Sequence, residues 1–311
     1  MKSVGFVSVT LLAAFGLVVS STGCVGAPDE LDEGMDGAEV AGAEPVDEPV
    51  GETSEALTVE GAVTAASCGT AVVNGLSLQI IAEGNCITPG AYASVPARAN
   101  LSIGSGVYLK LETPAKNALV AALDASPSTT MTVNSMLRTV AQQYLLYRWW
   151  QQGKCGIQAA ATPGNSNHET GLALDVGNYS TWTSKLQARG FSWAGSSDLV
   201  HFDYTGSGAV SYKGLDVKAF QRLWNRNHSS DPIGVDGIWG PQTQARMQQS
   251  PTTGFATGAA CLTAAENRAL LEEAKELTRK SAVNAEPEHV CGADIHDIDT
   301  DIEVEEALLE Q

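Results

Sequence analysis

The stretch Ser-Asn-His-Glu-Thr-Gly-Leu-Ala-Leu-Asp-Val-Gly at 166–177 places a histidine seven residues before an aspartate. Its second half alternates leucines with a small residue and the aspartate, so a strand here would bury the leucines and turn Asp175 to the other face. A fully extended chain would hold His168 about 20 Å from Asp175, but a turn at Gly171 would fold the histidine back. The pair suits metal ligation, although a lone histidine before a strand is more often an ordinary core or surface residue.

A second histidine supplies the rest of a candidate metal site. The segment Asp-Leu-Val-His-Phe-Asp-Tyr at 198–204 is predicted as a strand and contains His201. Two histidines and an aspartate form a ligand set typical of catalytic zinc sites, which keep a fourth position for water. Asp198, three residues before His201, is suited to take a proton from that water and deliver it to a leaving amine.

An arginine upstream is a candidate contact for a negative charge. Arg138 lies in residues 130–153, which we predict to be a strand that becomes an amphipathic helix near Ser135. An arginine in a cleft holds a substrate carboxylate or a developing oxyanion through charge-assisted hydrogen bonds. Gln142 follows on the same helical face at i+4 and is a candidate substrate contact. The alternative is that Arg138 is only a charge on the helix surface.

The elements that would position these residues form an α+β pattern. Residues 70–84 are predicted to form short strands joined by a turn, and 105–126 a strand leading into a helix that begins at Pro114. A further helix is predicted at 180–189. This order favours an α+β domain, residues 61–205, with a small, mainly antiparallel sheet flanked by helices.

Together these motifs resemble those of the zinc D-alanyl-D-alanine carboxypeptidase and dipeptidase family, which includes the vancomycin-resistance peptidases. The resemblance rests on Ser-x-His-x-x-Gly-x-Ala-x-Asp at 166–175, on acid-x-x-His at 198–201, and on an arginine upstream of a glutamine. It covers residues 62–205 and implies hydrolysis of the stem peptides of bacterial peptidoglycan. The implied roles are one Zn²⁺ held by His168, Asp175 and His201, a general base at Asp198, transition-state stabilisation by Arg138, and substrate contact by Ser166.

One departure from the family pattern bears on the bond that is cleaved. Many carboxypeptidases of this family have glutamate where this chain has Asp198. A shorter carboxylate, with Trp-Ala-Gly upstream at 193–195, is more similar to the L-alanyl-D-glutamate endopeptidase branch. Carboxypeptidase-like and endopeptidase activity therefore both remain hypotheses. A third, of another class, is a non-catalytic peptidoglycan-binding lipoprotein, which the intact ligand set argues against.

A second unit, residues 213–280, is predicted to be a small all-α domain after a Gly- and Ser-rich linker at 206–212. Its Val-Asp-Gly-Ile-Trp-Gly-Pro motif at 235–241 resembles that of the helical peptidoglycan-binding domain. The Asp-Gly pair suits a tight turn, and the proline suits the first position of a helix. The resemblance implies peptidoglycan or muropeptides as partners, with Trp239 as the candidate substrate contact.

The N-terminus predicts export. Residues 1–24 combine Lys2 with an apolar run too short to span a bilayer comfortably, and they end at Cys24 after small residues. This resembles a bacterial lipoprotein signal, with ordinary cleavage nearby as the alternative. We therefore expect a periplasmic or cell-envelope protein whose membrane contact is confined to a lipid anchor on Cys24.

The two ends of the chain account for its formal charge of −18. Residues 28–56 hold eleven acidic side chains and 282–311 hold ten, with no base in either range, so the remaining 15 acids and 17 of the 18 bases leave the middle near +2. We predict a disordered acidic linker at 25–60 and an acidic tail at 281–311. No basic stripe is interleaved with aromatics, so nucleic acid is not a predicted partner.

Export makes disulfides the expected state of the cysteines. Pairing of sequence neighbours predicts Cys68–Cys86 and Cys261–Cys291, with Cys155 left over. The sequence leaves other connectivities open. No Cys-x-x-Cys is present, so a zinc site built from thiolates is not expected.

Overall fold

A five-stranded sheet lies at the centre of the part of the chain that contains the candidate ligands. The structure, a computed structural model, describes residues 56–104 and 106–284. The predicted signal with Cys24, the linker as far as residue 55, the tail from residue 285 and Cys291 lie outside these residues.

The described helices and strands alternate irregularly along the chain. The helices are α1 (Val59–Thr64), α2 (Asn74–Ile87), α3 (Thr113–Asp124), α4 (Val140–Gln151), α5 (Tyr179–Gln187), α6 (Leu215–Asn227), α7 (Pro241–Gln249) and α8 (Ala264–Asn284). The strands are β1 (Ala93–Ser94), β2 (Leu101–Ile103), β3 (Lys110–Leu111), β4 (Met131–Ser135), β5 (Ala173–Val176), β6 (Phe191–Trp193) and β7 (His201–Tyr204). Short 3₁₀ turns occupy Thr70–Val73, Asn167–Thr170 and Gly195–Ser197.

The sheet confirms the predicted α+β class. Its strand order is β2-β4-β5-β7-β6, with β2 parallel to β4 and every other neighbouring pair antiparallel, while β1 and β3 form a separate antiparallel pair. One face packs on α3 and α5 through a buried apolar cluster that includes Leu119, Leu123, Leu174, Trp182, Leu186 and Phe202. The other face is left for polar side chains, because alternate residues of a strand point to opposite sides.

The register of the central strands places the candidate ligands on that polar face. Asp175 of β5 lies opposite His201 of β7, and Ala173 lies opposite Asp203. The intervening pair, Leu174 and Phe202, faces the apolar cluster. The alternating pattern of the sequence therefore separates core from site as predicted.

The prediction of strands at 70–84 is wrong. The segment forms a 3₁₀ turn followed by α2, and nearly every residue from Asn74 to Gly84 is buried. A helix buried all round shows no amphipathic period, so its apolar run has the appearance of a buried strand. Its polar residues are paired inside the protein: the Gln79 amide, for example, donates to the Phe255 carbonyl at 2.7 Å.

The predicted boundary between two domains at 206–212 does not separate two cores. α6 packs against α2, and one apolar cluster joins residues of α1, α2, α4, α6 and α7. Its fully buried members include Val59, Leu76, Tyr144, Trp149, Phe220 and Met247. The C-terminal helices α6 and α7 thus pack against the N-terminal helices, and all of the described residues belong to one compact unit.

A buried ion cluster reinforces this shared core. The Glu83 side chain on α2 has no exposed surface and forms ion pairs with two arginines of α6, with Arg222 Nε at 2.7 Å and with Arg226 Nη2 at 3.2 Å. The backbone N–H of Ala260 donates to its second oxygen at 2.6 Å. A buried carboxylate needs such partners because desolvation otherwise disfavours its charged form. The cluster therefore ties α2 to α6 and to the loop that precedes α8.

Helix α7 begins where the sequence predicts, and α8 begins at a capping box. Pro241 is in the first turn of α7. Thr263 and Glu266 form a capping box at the start of α8, with the Thr263 backbone N–H donating to the Glu266 carboxylate at 2.8 Å. No helix within residues 56–104 and 106–284 has both the length and the apolar character needed to cross a bilayer.

The predicted disulfide pairing is also wrong. The structure joins Cys68 to Cys155 and Cys86 to Cys261, each with Cα atoms 5.5 Å apart. Cys68 precedes α2 and Cys86 lies at its C-terminal end. The 14-residue helix between them is about 20 Å long, so pairing these neighbours would require the segment before α2 to return along the whole helix. Each cysteine pairs instead with a segment distant in the sequence.

Removal of the first disulfide tests this connectivity. The double replacement Cys68→Ser with Cys155→Ser is expected to lower the free energy of unfolding by about 2–4 kcal/mol, because the crosslink restricts the unfolded chain. Urea titration of the wild type and the variant measures the difference. A peptide map without reduction should yield the Cys68–Cys155 peptide, and a Cys68–Cys86 peptide would contradict the structure.

Candidate active site

A tight turn brings His168 beside Asp175. Ser166 and Glu169 form a capping box around the 3₁₀ turn Asn167–Thr170, which Gly171 closes in the left-handed conformation with φ 77°. A β-carbon at Gly171 would lie 3.0 Å from the backbone nitrogen of Glu112, so both the backbone conformation and the space favour glycine. The turn predicted from Gly171 is therefore present.

Three side chains converge on the polar face of the sheet. His168 Nε2 lies 3.2 Å from Asp175 Oδ1, and His201 Nδ1 lies 3.0 Å from the same oxygen. The two ring nitrogens are 3.2 Å apart. Within the described residues this is the group of histidine and acidic side chains close enough to hold a metal ion, with ligand atoms within 4.8 Å of one another.

The outer nitrogen of each histidine is already engaged. His168 Nδ1 lies 2.8 Å from the Met136 carbonyl, and since a carbonyl only accepts, the nitrogen carries the proton. His201 Nε2 lies 3.1 Å from Asp203 Oδ1 and donates to it in the same way. The neutral rings therefore turn two lone pairs toward a carboxylate oxygen. Three acceptors in contact need a cation or a proton between them, and this favours a bound metal ion.

The pKa values of the three side chains also indicate that the group needs a positive charge. Burial tends to lower the pKa of His201, but the hydrogen bonds to Asp175 and Asp203 outweigh it and raise the pKa to about 10. Burial tends to raise the pKa of Asp175, yet the two histidines and Arg138 hold it well below its usual value. Burial, with the nearby Arg138 charge, lowers the pKa of His168. Without a metal, an extra proton on His201 thus supplies the missing positive charge.

Arg138 reaches the site, but not from a helix. β4 ends at Ser135 and α4 begins at Val140, so Arg138 lies in the connection between them. The predicted helix start near Ser135 is wrong, because Thr139 and Gln142 form a capping box that sets the start five residues later. The guanidinium donates from Nη2 to Ser135 Oγ at 3.1 Å and to Asp175 Oδ2 at 3.4 Å.

Of the two neighbouring glutamines on α4, Gln143 and not Gln142 contacts Arg138. Gln142 is 2% exposed, and its Nε2 donates to the Gly106 carbonyl at 2.8 Å, so the structure gives it a structural role and not substrate contact. Gln143 Oε1 instead accepts from Arg138 Nη1 at 3.0 Å. Gln143 Nε2 donates to the Ala161 carbonyl at 2.7 Å. Sequence reasoning missed Gln143 because the predicted helix included Arg138 and placed Gln142 on the same face.

Replacement of Gln143 tests its hold on Arg138. In a peptidase assay we expect Gln143→Ala to lower kcat/KM about tenfold, the effect of losing one hydrogen bond to a charged group. The matched control is Gln151→Ala, an exposed glutamine at the end of the same helix, which should leave kcat/KM unchanged. Equal activity of the two variants would show that Gln143 does not position the guanidinium.

Asp198 lies at the solvent edge of the site. It follows the 3₁₀ turn Gly195–Ser197 in extended conformation, and its carbonyl accepts from the backbone N–H of His201 at 3.3 Å. Its side chain is exposed. Burial lowers the pKa of Arg138, and the charges of Asp175, Glu169 and, most weakly, Asp198 oppose that shift. Asp198 therefore contributes an accessible carboxylate near Arg138 and one short turn from a candidate ligand.

Two other predicted contact residues, Ser166 and Trp239, have partners within the fold. Ser166 is 9% exposed, and its Oγ accepts from the backbone N–H of His168 at 3.3 Å, so its hydroxyl caps the turn. Trp239 is partly buried and packs on Tyr144, with ring centroids 5.8 Å apart. Their contact with a substrate therefore stays a prediction.

Helix α6 packs against the turn that carries His168, a contact that the sequence analysis did not predict. Glu169 is buried and accepts from the backbone N–H groups of Gly164 and Ser166, each at 2.8 Å. Its neighbour Asp216, at the start of α6, is also buried, and burial raises the pKa of Glu169 to about 7 and that of Asp216 well above its usual value. One proton shared by the pair would avoid two buried charges in contact. Glu169 is therefore a structural residue and not the exposed base.

The fold and the site define the class of this region, an α+β domain with a His-Asp-His group that could hold a metal ion beside an arginine. Residues 109–201 match the VanY family model, described as D-alanyl-D-alanine carboxypeptidase. The chain thus contains a VanY-type domain, as the motifs predicted, and the match includes the three candidate ligands, Arg138 and Asp198. The family indicates a peptidase-type hydrolase acting on peptidoglycan. The match does not extend to residues 213–280.

Comparison with curated proteins and with solved structures gave no significant match.

Proposed function

We propose that the chain is an exported zinc metallopeptidase that hydrolyses peptidoglycan stem peptides in the manner of a D-alanyl-D-alanine carboxypeptidase. The observation that carries the proposal is the convergence of His168, Asp175 and His201 with their lone pairs turned inward. Two imidazole nitrogens and one carboxylate oxygen suit zinc and leave a coordination position for substrate or water. The family match over residues 109–201 supports the substrate class.

The residues around this group have complementary tasks. Zinc, when bound, would supply Lewis-acid polarisation of the scissile carbonyl. Asp198, exposed at the edge of the site, accepts a proton from the attacking water and returns it to the leaving amine. Arg138 offers guanidinium N–H groups to the developing negative charge or to the terminal carboxylate of the substrate. Its bonds to Ser135 and Gln143 fix the direction of these N–H groups.

The alternative bond is that of an L-alanyl-D-glutamate endopeptidase. Aspartate at position 198, in place of the longer glutamate, is the observation that favours it. Asp198 is exposed and lies three residues before His201, and its carboxylate, one methylene shorter than that of glutamate, changes where a water or an amine can lie. Both activities use the same three ligands and the same base.

Purified muropeptides distinguish these functions. The mature protein is incubated with zinc and intact muropeptides, and the products are identified by mass spectrometry. Loss of one terminal alanine identifies the carboxypeptidase, and release of the stem after its first alanine identifies the endopeptidase. Binding to sacculi without any product would instead support a non-catalytic peptidoglycan-binding lipoprotein. Addition of a chelator should abolish either reaction, and excess zinc should restore it.

We further propose that the C-terminal helices contact the wall polymer and that the mature protein is held in the cell envelope, with Cys24 as its lipid anchor. A shallow cleft between α6 and α7 supports the first part, lined by Gln221, Ile233, Asp236, Ile238 and Thr243. Ile238, 66% exposed, is the most accessible apolar side chain of this cleft. The neighbouring Trp239 packs on Tyr144 instead. The N-terminal sequence supports the second part.

A further inference from the structure

His201 uses both of its ring nitrogens. Nδ1 faces Asp175 and His168, while Nε2 lies 3.1 Å from Asp203 Oδ1 on the far side of the ring. Both residues belong to β7, two positions apart, so their side chains rise from the same face of the sheet. Asp203 is therefore a neighbour of the candidate ligand group and not a member of it.

A second polar side chain holds Asp203 in place. Asn167 Nδ2 donates to Asp203 Oδ1, the oxygen that receives the His201 N–H, at 2.9 Å. Asn167 is the first residue of the turn that carries His168. The bond therefore joins the two segments that supply the histidines, which are 33 residues apart in the sequence.

The surroundings of Asp203 indicate that its carboxylate orients the His201 ring. Its side chain is 31% exposed, so it is accessible to water, but the His201 ring separates its bonded oxygen from the lone pairs that face inward. Ser192 lies opposite Asp203 on β6 and is exposed. A carboxylate in this position fixes the tautomer and the rotation of a metal-bound imidazole and increases its basicity.

We infer that Asn167 and Asp203 form a positioning pair, in which Asn167 orients Asp203 and Asp203 holds His201 with Nδ1 directed at the metal. This inference rests on the proposed function, because it assumes an ion among the three ligands. Neither residue contacts the reacting atoms. Both act through His201, so their first effect is on metal affinity.

Zinc affinity of four variants tests the pair. The dissociation constant is measured by competition with a chromophoric chelator for wild type, Asp203→Ala, Asn167→Ala, the double variant, and Ser192→Ala as the control on the facing strand. Asp203→Ala should raise the dissociation constant roughly 10–100-fold, and Asn167→Ala should raise it by less. The double variant should match Asp203→Ala alone, because Asn167 acts through Asp203. Ser192→Ala should match wild type.

The outcomes separate this inference from the proposed function. Failure of the wild type to bind zinc would overturn the proposed function before any variant is compared. Tight binding by wild type with an unchanged constant in Asp203→Ala would overturn the positioning pair alone. Effects of Asn167→Ala and Asp203→Ala that multiply in the double variant would show independent action and also overturn it.

A second variant at position 203 and a second measurement keep the inference testable if Asp203→Ala fails to fold. Asp203→Asn keeps the size and an oxygen acceptor, and it should weaken zinc binding less than Asp203→Ala does. The absorption bands of the cobalt-substituted protein report ligand geometry directly. They should shift in Asp203→Ala and stay as in wild type in Ser192→Ala, and unshifted bands in Asp203→Ala would contradict the inference.

Discussion

Replacing Asp198 with asparagine is expected to lower kcat for muropeptide hydrolysis by about 10²–10⁴-fold, the usual contribution of a general base. Asparagine has nearly the same size, but it cannot accept and return a proton. Asp198 is exposed and lies outside the His-Asp-His group, so the dissociation constant for zinc should stay that of the wild type. Steady-state kinetics and chelator competition on the same preparation measure the two quantities.

The comparison variants make this result specific. Asp175→Asn removes a candidate ligand and should lose both zinc and activity, while Glu273→Gln, on the exposed side of α8, should change neither. Retention of wild-type turnover by Asp198→Asn would exclude Asp198 as the base. Loss of zinc along with turnover would mean that Asp198 helps to hold the metal.

Truncation of Phe220 to alanine is expected to lower the free energy of unfolding by about 3–5 kcal/mol, the usual cost of a large buried cavity. Phe220 of α6 is fully buried in the apolar cluster that also contains Leu76 of α2 and Tyr144 of α4. Because all of the described residues belong to one compact unit, the sheet that carries His201 should be destabilised with the C-terminal helices. Native-state hydrogen exchange measures protection of α6 and of β7 in the same experiment.

The exchange data distinguish a shared core from two domains. In Phe220→Ala, the slowest amides of α6 and β7 should lose protection by the same free energy. Loss confined to α6 and α7, with α2 and β7 unchanged, would show that residues 213–280 fold independently. Ile238→Ala is the matched control, since that side chain is 66% exposed in the same segment and should change stability by less than about 0.5 kcal/mol.

The sequence alone predicted the strands around the site, because one face of them is apolar and the other polar. Leu174 and Phe202 enter the core while Asp175 and His201 remain opposite, as strand alternation requires. Gly171 predicted the turn that brings His168 back to Asp175, since few residues other than glycine adopt the left-handed backbone conformation found there. Local patterns of this kind were sufficient for the candidate ligand set and for the family.

Only the tertiary structure decided the features that depend on contacts between distant segments. α2 is buried on all sides, so the sequence shows no amphipathic period that would predict it. The observed disulfide pairing, and the apolar core that crosses the predicted domain boundary, differ from the predictions. The assignment of Gln143 rather than Gln142 to Arg138 followed from where α4 begins. The bond from Asn167 to Asp203 joins segments 36 residues apart in the sequence. Such contacts are set by packing, and packing is not encoded in any single local pattern.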